Sequence, residues 1–83
     1  MEIRMKLDLD NVNALCQICD SSNFDVNVIC GRVCVDGSSV MGVMEMCNRV
    51  VTLAPVTYSD KEYEEFFEKV KPLGAFKVEG FYG

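Results

Sequence analysis

Apolar and polar residues alternate from Glu2 to Leu7, with Ile3, Met5 and Leu7 on one side and Glu2, Arg4 and Lys6 on the other. Period two predicts a strand with one buried face. Asp8-Leu9-Asp10-Asn11 then supplies turn chemistry and a helix start. Val12, Leu15, Cys16 and Cys19 fall on one face of a helix, which predicts an α-helix over about residues 11–21. Ser21-Ser22-Asn23 ends it. Alternation returns with Val26, Val28 and Cys30 against Asn27 and Ile29. Gly31-Arg32 fits a two-residue hairpin turn with glycine first, and Val33 and Val35 give the returning strand its inner face.

After the break at Asp36-Gly37-Ser38, the pattern becomes helical but short. In Ser38-Ser39-Val40-Met41-Gly42-Val43-Met44-Glu45-Met46, Ser39 is expected to cap the helix with its hydroxyl. Met41 and Met44, three apart, share a face. So short a helix cannot bury every side, so Val40, Met41 and Met44 are expected to form adaptable exposed surface. Val50-Val51-Thr52-Leu53-Ala54 reads as a fourth strand, limited by Pro55. Ser59-Asp60-Lys61-Glu62 is a capping box. Tyr63, Phe66, Phe67 and Val70 form the stripe of a last helix that Pro72 stops. The expected core is Val12, Leu15, Val26, Val28, Val35, Val51, Leu53, Phe67 and Val70. Phe76, Val78 and Phe81 alternate in the closing stretch, which would add an edge strand or wrap the surface.

The resulting order, β-α-β-β-α-β-α, predicts an α+β fold: an antiparallel sheet with helices on one face. Eighty-three residues form one small domain with one core, burying roughly two-thirds of the unfolded surface. The formal charge of −5 argues against non-specific nucleic-acid binding. No run is apolar enough to cross a membrane, and Met1 to Lys6 lacks the apolar region of a signal peptide, so a cytoplasmic location is expected.

Five cysteines without a leader are expected to be free thiols. Cys16 and Cys19 have the spacing of a redox pair, but that pair would sit at a helix start, and here it lies inside the helix. Cys16, Cys19, Cys30 and Cys34 could be drawn as a zinc site, although Cys30 and Cys34 fit strand positions flanking a turn and the chain has no histidine. Core or surface thiols are the simpler reading. Neither a metal nor another cofactor is expected.

The run Ser39-Val40-Met41-Gly42-Val43-Met44 resembles the Ser-Ile-Met-Gly-Val-Met segment of HPr, the histidine phosphocarrier of the bacterial sugar phosphotransferase system. The resemblance is best over residues 25–47, moderate over 50–71 and weak before 25. It implies an HPr-like open-faced sandwich, a four-stranded antiparallel sheet of order 1-4-2-3 with helices on one face, and a C-terminal extension over residues 73–83. It also implies a regulatory phosphorylation site at Ser39 and partner docking through Val40, Met41 and Met44. The implied partners are cytoplasmic proteins of the phosphotransferase system or transcription regulators.

The family's chemistry does not carry over. HPr holds its phosphoryl group on a histidine between the first strand and first helix, beside an arginine. The corresponding stretch here, Leu7 to Asn13, has neither, and Asp8, Asp10 and Asn11 make it a degenerate phosphocarrier loop. Without any histidine, histidine phosphocarrier activity is chemically excluded. There is also no paired acid and base, phosphate loop or activated nucleophile, so the chain is not expected to be an enzyme. The sequence therefore suggests a regulatory or docking module. The alternatives are a fold relic or assembly component using the sheet edge or C-terminal tail, and a thiol-based metal or redox protein.

Overall fold

The computed structural model describes residues 2–79. Along the chain run β1 (Glu2–Lys6), α1 (Val12–Ser21), β2 (Val26–Cys30), β3 (Val33–Asp36), α2 (Val40–Met44), β4 (Val50–Pro55) and α3 (Asp60–Val70). A 3-10 turn (Lys71–Leu73) and β5 (Phe76–Val78) follow. The strands form one antiparallel sheet in the order β3-β2-β4-β1-β5. The fold is thus α+β with an open sheet, but the sheet has five strands rather than the four the resemblance implied. The extra strand lies in the stretch expected to be a C-terminal extension. Phe81 lies outside the described residues.

Cross-strand partners share a sheet face, so the register shows how the core forms. Val28 pairs with Leu53 and Leu53 with Ile3, while Val51 pairs with Met5. All five are buried beneath Val12, Leu15, Cys16 and Cys19 of α1, Val43 of α2, and Phe66 and Val70 of α3. The alternate residues face away from the helices: Arg4 lies opposite Thr52 and Phe76, and Ile29 opposite Thr52 and Cys34. The hairpin between β2 and β3 turns at Gly31 and Arg32. Gly31 has φ +60° and Arg32 does not have positive φ, as a turn with glycine first requires.

Two expected core residues are only half-buried. Val35 lies on β3, where among the described residues no further strand flanks it. On α3, Phe66 rather than Phe67 enters the core; its ring meets Phe24 edge-on at 6.2 Å between centroids. Phe67 flanks the core and is covered by Lys77, whose ammonium lies 4.7 Å from the ring centroid. Lys77 pairs with Ile3 in the sheet, so it projects on the helix side. There it also reaches the Glu64 carboxylate at 2.6 and 2.7 Å, fastening β5 to α3. The apolar residues of β5 take the opposite face, and Phe76 is exposed.

α3 starts as a capped helix should. The Ser59 hydroxyl accepts the Glu62 N–H at 3.2 Å. The return arm of the capping box differs from the expected one. Glu62 accepts from the Thr57 hydroxyl, and that hydroxyl in turn accepts the Ser59 N–H. The threonine thus relays what would be a direct bond. At the other end Pro72 sits in the 3-10 turn, and Gly74 closes it with φ +104°.

Candidate functional site

The surface around α2 is built by a short helix pinned on one side. Gly42 permits the close approach to β3: a Cβ there would lie 3.3 Å from both Cβ and Cγ1 of Val35. Val43 and Met46 are buried. After the helix, Met46, Cys47 and Asn48 wind back through turn hydrogen bonds. Asn48, with φ 71°, donates its N–H to Leu7, and Arg49 accepts the Leu7 N–H. The chain on either side of α2 is therefore fixed to the end of β1 and to β3.

With one side held, the other is left to solvent. Met41 is 81% exposed, Met44 45% and Val40 38%. Val40 and Met44 are one helical turn apart, and Met41 and Met44 three residues apart, so the three make one contiguous apolar surface. Between this helix and α1 lies a groove lined by Asn13, Cys16, Gln17, Asp20, Ser38 and Val40.

Ser39 occupies the N-cap position, with φ −87° and ψ 96°, but its side chain makes no capping hydrogen bond. This corrects the expectation that its hydroxyl caps α2. The local bonds are taken instead by Ser38, whose N–H and hydroxyl both donate to Asp36 Oδ1, at 2.9 and 2.8 Å. Those bonds, the backbone one foremost, hold the Asp36 carboxyl below its ordinary pKa. Ser39 itself is exposed.

The loop between β1 and α1, read from the sequence as a degenerate phosphocarrier loop, is a closed hydrogen-bonded turn. Asp8 Oδ1 accepts the N–H groups of Asp10 and Asn11, each at 2.9 Å. The buried Asn11 side chain returns the contact. Its Oδ1 accepts the Asp8 N–H, and its Nδ2 donates to the carbonyls of Lys6 and Leu73. Asn11 therefore joins β1, the start of α1 and the turn after α3. Its role here is structural. Asp10 stays exposed.

The cysteines divide between the interior and the surface, and all five are free thiols. Cys16 and Cys19 are buried within α1. Burial pushes the Cys16 thiol up and, helped by Cys16 and Asp36, pushes Cys19 up to about 12. A thiol so disfavoured as thiolate is a poor nucleophile. Cys34 is exposed on β3. Among the described residues, no group of three cysteine, histidine or acidic side chains is arranged to hold a metal ion, and no helix is long and apolar enough to cross a membrane.

Two features of this surface lie outside the residues singled out from the sequence. One is Gly42, whose lack of a side chain sets the depth of α2. The other is the set of acidic residues beside the groove, legible only as a charge imbalance until the fold brings Asp20 of α1 next to Ser38 and Val40. No family model, curated protein or solved structure matches this chain.

Proposed function

We propose that this chain is a protein-docking module of HPr-like descent that binds partners through Val40, Met41 and Met44 and carries no phosphoryl group of its own. The observation that carries this reading is the split character of α2: Val43 is fully buried while Met41, two residues away, is 81% exposed. Solvent-facing methionines on a firmly seated helix offer a soft, adaptable contact surface. The strand succession β1-β4-β2-β3 within the larger sheet is consistent with the relationship, as is the short run from Ser39 to Met44.

On this reading the partners are cytoplasmic proteins, of the phosphotransferase or transcription-regulator kind, and the protein is not an enzyme. Ser39, exposed and free of a capping bond, is the candidate modification site at the rim of the surface. Asp8, Asp10 and Asn11 shape the neighbouring loop rather than doing chemistry.

A second reading rests on a different observation. β5 forms one edge of the sheet, and Phe76, 47% exposed, lies on the face without helices. An assembly component would use that edge. One experiment separates the two. Immobilised wild-type protein, a Met41→Glu/Met44→Glu variant and a Phe76→Glu variant are each used to capture proteins from source extract, with quantitative mass spectrometry as readout. The docking reading expects a partner retained by wild type and Phe76→Glu and lost from the methionine variant. Loss from Phe76→Glu alone would favour the edge instead, and identical capture by all three would remove both surfaces.

A further inference from the structure

Carboxylates outnumber cations in two runs of the chain, residues 60–68 and residues 7–48, and only the second is left without nearby cations to balance it. Residues 7–48 hold six carboxylates and one cation, Arg32, whereas the rest holds seven of each sign. The segment that builds α1, β2, β3 and α2 therefore carries a net −5 with only Arg32 to offset its carboxylates, whereas the acidic run of residues 60–68 is balanced by cations elsewhere in the chain. Among the described residues, the two ion pairs, Arg4 with Glu2 and Lys77 with Glu64, both lie in the balanced part. Asp36 in the acidic part is instead held by a serine N–H and hydroxyl.

Three of these carboxylates, Asp20, Asp25 and Asp36, line two grooves that meet at Ser38, just before α2. The groove between α1 and the start of α2, about 370 Å³, has Val40 and Cys16 on its apolar side and Asp20 at its rim. A second groove, about 240 Å³, shares Asp20 and Ser38 with the first and continues past Asp25 and Asp36. Val40 thus links the exposed face of α2 to an acidic channel that, among the described residues, has no lysine or arginine in its lining.

Resting on the docking reading, we propose that this site takes a cationic amphipathic segment of a partner protein. Its apolar face lies on Val40, Met41 and Met44, and its lysines or arginines lie along the channel between Asp20 and Asp36. Charge complementarity selects this occupant: an acidic segment would be repelled, and a second copy would bring another −5 against the first. A helix with apolar side chains on one face matches a methionine surface, and its basic face matches the carboxylates. The same field sets the sign of regulation at Ser39. A phosphate there adds about −1.5 to −2 charges, so modification tightens the grip on a basic segment rather than releasing it.

The test uses three synthetic peptides of about five helical turns each: an amphipathic leucine-lysine helix, its leucine-glutamate counterpart, and a scrambled leucine-lysine isomer. Each is titrated into isotope-labelled protein, with backbone amide NMR shifts and affinity as readouts. The leucine-lysine helix should bind, shifting residues of the outer α1 face and of Ser38 to Glu45. Its affinity should fall at least about tenfold as salt rises from about 50 to about 500 mM. Asp20→Lys/Asp25→Lys, at exposed positions, should weaken it about tenfold, Ser39→Asp should tighten it, and Glu65→Lys/Glu68→Lys on α3 should leave it unchanged. Equal binding of the leucine-glutamate helix at the same residues would overturn the cationic partner while leaving the docking surface standing. Absence of shifts at α2 with every peptide would remove the docking reading as well. Equal binding of the scrambled isomer, or α2 shifts that grow with protein concentration alone, would also overturn the proposal.

Discussion

α2 and α3 pack on the same sheet, yet the sequence spends its residues on them differently. α3 is eleven residues long, begins with a working serine cap, and directs Phe66 and Val70 into the core. Its flank is closed by Lys77, which serves both Glu64 and the Phe67 ring. α2 is five residues long, its serine makes no capping bond, and only Val43 of its own residues is buried. One helix is tied at both ends and along its face. The other is held by the chain around it and presents methionines to solvent. α3 is thus a helix that stabilises the fold and α2 one that the fold displays, with its apolar residues open to solvent.

The largest expected effect lies on α3. Phe66→Ala should destabilise by about 3–5 kcal/mol in chemical unfolding, because a buried ring leaves a cavity. Met41→Ser should change stability by no more than about 0.5 kcal/mol, since that side chain is 81% exposed. A similar loss from Phe66→Ala and Met41→Ser would erase the distinction between the helices.

Next comes the seat on which α2 rests. A Cβ at Gly37 would lie 2.6 Å from Cys19 Sγ and 3.0 Å from the Val26 carbonyl oxygen. Gly37→Ala should therefore cost about 1–3 kcal/mol through overpacking. Unchanged stability would mean that the turn before α2 shifts freely. Cys19, the other side of that contact, has a pH signature. Its thiol pKa is raised to about 12 in the folded state, against about 8.5 in the unfolded chain. The contribution of the neutral thiol is fully present below the unfolded value and is lost as pH rises through the folded one. Over that window wild type should lose about 1.4 kcal/mol per pH unit relative to Cys19→Ala. Parallel alkaline profiles for the two proteins would show that Cys19 is not the buried thiol described.

The two caps give the smallest contrast. Ser59→Ala should cost about 1 kcal/mol, whereas Ser39→Ala should cost less than about 0.5 kcal/mol, because only the first hydroxyl accepts an N–H at its helix start. Equal losses in thermal melts would restore a capping role to Ser39.

Much of this was legible from spacing. The strand alternations, the buried face of α1, the hairpin at Gly31 and Arg32, and the exposure of Val40, Met41 and Met44 all follow from local pattern. What escaped needed neighbours. Phe66 and Phe67 both fit the stripe of α3, and only the position of Phe24 and β5 decides which ring goes inward. Lys77 looks like a polar residue between two apolar ones until the register with Ile3 turns it toward α3. Serines at 38 and 39 are equivalent as sequence, and the carboxylate of Asp36 engages the first and leaves the second free. Asp20 belongs to another element altogether, and only the packing of α1 on α2 brings it beside Ser38 and Val40.

The most direct test of the docking reading uses the methionines themselves. Met5 and Met46 are buried, Met41 and Met44 exposed. With methyl-labelled methionine, the protein is titrated with a partner recovered through wild-type capture. The Met41 and Met44 methyl resonances should shift in proportion to occupancy while those of Met5 and Met46 hold still. Saturated binding with Met41 and Met44 unmoved would contradict that reading.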